Sequence, residues 1–153
     1  MTGRRFNFWE WLEAFGALIG FEISLQLFGL QRIGQALERM SVHEKITAAD
    51  PRVRRLTNIV ERVAGFLPFK TACLHQCLAL CWMLRRRGMM ADLVMGVYKF
   101  PFTAHVWLAC ESEIIHWRAG LGSCTGLNML QAMSVILRIG SQKSIRPARR
   151  NTS

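Results

Sequence analysis

A cysteine and a histidine carry the chemistry this chain can offer. Cys73 stands near the head of TACLHQCLALCWMLRRRG (Thr71 to Gly88), whose apolar spacing predicts a helix, and His105 stands in FTAHVWLAC (Phe102 to Cys110), whose alternation predicts a strand. A thiol on the first turn of a helix feels the positive end of the backbone dipole, which favours thiolate, and an imidazole brought alongside can hold or take its proton. The pair is the minimum equipment for acyl transfer. Cys73 would attack a carbonyl, His105 would protonate the leaving amine and then activate water, and a third group would orient the imidazole. His116, in EIIHWRAG, is the candidate for that third place; Glu113, Glu111 and a backbone carbonyl are its alternatives.

Around this pair three residues are candidates for binding substrate. Trp107 alternates with His105 on one strand face, where it covers the imidazole or belongs to the core. Phe102, with Phe100 and Pro101, forms an apolar hairpin tip that either borders a groove or packs as a turn. Gln76 could donate to an oxyanion, although the backbone N–H of Cys73 at a helix start is the better-supported donor. His75, two residues after Cys73, points off a different side of the helix, to solvent or to the groove. Cys77 and Cys81 follow the helix stripe and read as core. A zinc site built from Cys73, Cys77, His75 or His105 lacks a second ligand pair, so no metal and no cofactor are expected.

These groups need elements to position them. Phe8 to Leu27 carries an apolar stripe (Phe8, Trp11, Leu12, Phe15, Leu18, Ile19) that predicts a helix, and a second helical piece runs from Gln31 to Met40. Asp50-Pro51 reads as an N-cap followed by proline at the first helical position, and Gly65 with Pro68 mark the end of that helix. The Cys-bearing helix, buried on much of its circumference, stops at Gly88. Strands are expected at Ala91 to Phe100, Ala104 to Cys110 and Glu113 to Trp117, forming an antiparallel sheet against it. A last helix is expected within 127–138 and a basic disordered tail over 141–153. The expectation is one α+β domain over 1–140, with an amino-terminal helical part at 8–66 and a catalytic core at 67–117.

Composition bounds the remaining choices. A chain of 153 residues, 51% hydrophobic and 20% charged, can bury one core without staples. Its 20 Lys and Arg against 10 Asp and Glu give a positive surface that draws acidic peptides, anionic lipid or nucleic acid. The basic residues are scattered without aromatic interleaving, so nucleic acid is not the expected partner. Five cysteines, three of them at Cys73, Cys77 and Cys81 on one predicted helix, point to a reducing, cytoplasmic setting. Glu10, Glu13 and Glu22 interrupt the first apolar run, which argues against a signal peptide or a membrane span there. The stripe within Phe8 to Leu30 either covers the domain or gives a weak membrane-surface association.

A cysteine followed by Leu74, a helix ending Leu84 to Gly88, a strand bearing Gly96 and Val97, and Phe102 to Leu108 together resemble the leader peptidases of lasso-peptide biosynthesis. These belong to the transglutaminase-like branch of the papain-type cysteine proteases. The resemblance is strongest from about Leu67 to Trp117. It implies a transglutaminase-like (papain-type) fold and a peptidase that removes the leader from a ribosomally made precursor. It further implies a small leader-recognition protein that presents the leader and an ATP-using, asparagine-synthetase-like cyclase that receives the product. The chain departs from the family pattern at one point: where the family has an aspartate about a dozen residues beyond the histidine, this sequence offers Trp117 or Arg118, and no Asp follows Asp92. That substitution motivates the other reading, a non-catalytic subunit that binds the leader or scaffolds the cyclase.

Overall fold

The computed structural model describes residues 8–47, 49–68, 73–99, 102–110, 113–116 and 134–139. Three helices, α1 (Phe8–Glu38), α2 (Pro51–Phe66) and α3 (Cys73–Arg86), are followed by β1 (Asp92–Lys99), β2 (Phe102–Cys110), β3 (Glu113–His116) and β4 (Ser134–Ile139). The strands form one antiparallel sheet in the order β3-β2-β1-β4. The helices pack together and against one face of it, an α+β arrangement.

Each helix end follows from its residues. Asp50 accepts the backbone N–H of Arg52 at 2.8 Å through its side chain, with Pro51 in the first turn, so α2 starts where its cap and its proline place it. The Arg52 guanidinium holds the Asp50 and Glu44 carboxyls below their usual range. α3 ends in a left-handed Gly88 (φ 77), with Gly88 N–H donating to Arg85 O (2.9 Å) and Met89 N–H to Leu84 O (3.1 Å). Those two bonds close a helix terminus of the Schellman type, for which glycine is the residue without a Cβ penalty. α1 is two helical pieces joined at Gly29 (φ 73), which is the break expected between Leu27 and Gln31.

The core is centred on α3, where Cys77, Leu78, Ala79, Leu80, Cys81, Met83 and Leu84 are all buried. α1 meets it through Ala14, Ala17 and Leu18, so its packed face is rotated from the expected stripe: Phe8 and Leu12 turn outward. Small alanines let helix axes approach closely, and the rings take the flanks. By length and composition α1 could cross a membrane. In this fold its Glu13 pairs with Arg86 and Arg87 at the α3 terminus and its Glu22 with His75. At its far end Gly34 lies so close to β4 that a Cβ there would come within 2.9 Å of Ile139 Cδ1.

One expected element is corrected. Residues 134–138 of the predicted last helix (127–138) belong instead to β4, which ends at Ile139 and adds a fourth strand beside β1; residues 127–133 lie outside the described residues. Ser-Val-Ile-Leu-Arg-Ile contains three β-branched residues, and an edge position next to β1 settles it as strand. Ile139 enters the core while Arg138 meets Asp92 on the other face, at 2.7 and 3.0 Å. The expected tail at 141–153 also lies outside the described residues.

Candidate active site

α3 opens on Cys73 itself, so the N–H groups of its first turn have no carbonyl four residues earlier in the helix to bond. One turn later the Cys77 thiol donates to the Val106 carbonyl of β2 at 3.5 Å, and one turn after that Cys81 donates to the Ala91 carbonyl before β1, also at 3.5 Å. α3 therefore runs along the sheet with Cys73 toward the β1–β2 hairpin end. The residue before Val106 is His105. Of the four described cysteines, all free, Cys73 alone is not buried. Burial pushes the Cys77 thiol far above its ordinary range and the Cys81 thiol up to about 12, so neither supplies thiolate near neutrality.

His105 is half-buried and pairs across the sheet with Gly96. Val106, Leu108 and Cys110 belong to the helix-packed core, so the two-residue alternation of β2 puts His105 on the opposite face with Trp107. Trp107 is 6% exposed. Over residues 102–107 the described partner of β2 is β1 alone, so no described strand borders the other edge of this stretch.

The remaining candidates are distributed unevenly. His116 pairs through its backbone with Leu108, three residues and about 10 Å along β2 from His105, so the register does not set it opposite the imidazole. Asp92 lies on the His105 face but four residues from Gly96, and its carboxylate is engaged by Arg138, with Arg85 at 3.9 Å. Gln76 is buried in the helix layer. Phe102 opens β2 opposite Lys99. Among the described residues no three His, Cys, Asp or Glu side chains converge to hold a metal.

His75 is not the solvent- or groove-facing residue expected from its helix position. Its Nε2 lies 2.6 Å from the Glu22 carboxylate of α1, it is 17% exposed, and its buried Nδ1 has no partner among the described residues. The pair ties the first turn of α3, and with it Cys73, to α1. Sequence reading missed Glu22 because a contact across 53 positions leaves no local signal; its only visible trace was a charge interrupting an apolar run.

The transglutaminase-like superfamily model matches residues 15–125, a span that contains Cys73, His105 and His116. No curated protein and no solved structure matches the chain.

Proposed function

The chain belongs to the transglutaminase-like superfamily, and from that premise we propose that it is a cysteine peptidase that removes the leader from a lasso-peptide precursor. The observation that carries the reading is the placement of Cys73 as the first residue of α3, one turn from a thiol bonded to the residue next to His105. The Cys73 sulfur adds to the scissile carbonyl carbon, and backbone N–H groups of the first α3 turn receive the oxyanion. His105 gives a proton to the departing amine, leaving a thioester on Cys73. It then takes a proton from water, which adds to that thioester and releases the leader carboxylate and the thiol.

In this reading a separate small protein presents the leader, the product passes to an asparagine-synthetase-like cyclase, and the setting is the cytoplasm. His116 remains the sequence candidate for orienting the imidazole, either directly or through an intervening group. Its register, three residues from His105, favours a second reading in which the chain is a weak or inactive leader-binding scaffold of the same complex.

The test is a mass-spectrometric cleavage assay with the precursor and its recognition protein. Cys73→Ala and His105→Ala should each abolish the leader fragment, with cleavage by His116→Ala deciding whether that imidazole takes part. Absence of cleavage by the folded, partner-supplemented chain, together with intact maturation in Cys73→Ala, would establish the scaffold instead.

A further inference from the structure

α1 and α3 leave an open groove on the face away from the sheet. Its first part, about 580 Å³, has Gly16 and Gly20 in its lining, with Trp9, Leu12 and Trp82 beside them; its second, about 510 Å³, continues past Phe21 and Ser24 to Phe28 and Arg32. Several apolar side chains that line it are exposed: Trp9 78%, Leu12 43%, Phe28 55%. A contiguous patch of this kind marks an interaction surface.

Three observations identify its occupant. The glycines are not there for packing within the chain, because a Cβ at Gly16 or Gly20 would meet nothing within 4 Å, yet glycine inside a helix carries a propensity cost. They keep the groove deep enough for a rod rather than a flat surface. The length fits as well: from Trp9 to Phe28, up to the break at Gly29, the helix rises about 28 Å, the length of a partner helix of roughly 20 residues, with Arg32 just beyond the break. Finally, the net charge at the two ends is positive. Glu13 at one end is already bound by Arg86 and Arg87, Arg86 is 60% exposed over the Trp82 ring, and Arg32 at the other end has no carboxylate partner among the described residues.

We propose that the α1–α3 groove docks an amphipathic helix of another protein, seating its apolar ridge over Gly16 and Gly20 and pairing acidic residues near its two ends with Arg86 and Arg32. This is the helix-in-groove mode of recognition, with charge fixing the register.

The probe is a dye-labelled synthetic helix of 20 residues with leucines on one face and glutamates flanking them, compared by fluorescence anisotropy with a version carrying lysines in place of the glutamates. The full chain should bind the glutamate helix saturably and the lysine helix at least tenfold more weakly. Gly20→Trp, in a position with open space above it, should weaken binding tenfold or more while circular dichroism and the melting temperature show an intact fold. Arg32→Glu should narrow the preference between the two helices. Equal affinity for both, or binding indifferent to Gly20→Trp, would overturn the proposal. So would sedimentation with phosphatidylglycerol vesicles that Leu27→Asp abolishes and Gly20→Trp leaves intact, which would give the face to lipid. A dimer abolished by Gly20→Trp would give it to a second copy of this chain.

Discussion

At the residue scale, the three cysteines of α3 share a helix and differ in environment. Cys73 sits half-buried at the first turn, whereas Cys77 and Cys81 are enclosed and spend their thiol protons on the Val106 and Ala91 carbonyls. Alkylation of the folded chain at pH 8 should therefore label Cys73 and spare the other two until the chain unfolds, as peptide mapping would show. The same burial has a consequence for stability. Cys77 and Cys81 titrate near 9 when exposed and much higher when folded, so the unfolded chain gives up these protons first as pH rises. Their burial is without penalty below pH 9, and stability declines from there toward pH 12; the urea midpoint should fall over this window, and fall less in Cys81→Ala. The spacing of Cys73, Cys77 and Cys81 made their common helix legible. The direction each thiol faces was legible only in part, since periodicity shows a stripe but not what covers it.

At the scale of elements, glycines distinguish surfaces that pack from surfaces that wait. Gly16 and Gly34 both lie in α1, but the first faces open space and the second touches Ile139 of β4. Gly16→Ala should raise stability by about 0.5–1 kcal/mol through helix propensity alone, whereas Gly34→Ala should lower it because Ile139 must move. Thermal melts of the two variants, in opposite directions from the unaltered chain, would check both. Element ends were readable wherever the signal is chemical and local: Asp50-Pro51 starts α2, Gly88 stops α3, and Gly29 falls between the two expected helical pieces of α1. The strand at 134–139 was not readable as one. Its short apolar run fits helix and strand alike, and pairing with β1, some forty residues earlier, decided between them.

At the scale of the whole molecule, Arg85 joins three parts of the chain. It is 2% exposed, donates to Leu37 O at the end of α1 (3.0 Å) and to Ala91 O before β1 (2.8 Å), and lies 3.9 Å from Asp92, which Arg138 of β4 also holds. Arg85→Ala would remove two charge-assisted hydrogen bonds, leaving Leu37 O to Met40 N–H and Ala91 O to the Cys81 thiol, and part of a buried carboxylate's compensation, at a cost of about 3–5 kcal/mol. A denaturation midpoint close to that of the unaltered chain would show that water replaces the guanidinium. The family relation, the α+β class, the candidate nucleophile and its histidine were determined by the sequence itself, because helix caps, strand alternation and the order of Cys73, Gly96 and His105 act over short range. Only the tertiary structure decided that His75 faces Glu22, that His116 lies level with Leu108, that α1 buries Ala14 and Ala17 and exposes Trp9, and that a fourth strand completes the sheet. Each of these depends on which distant surface comes to lie against a residue, and packing between elements far apart in the chain sets that.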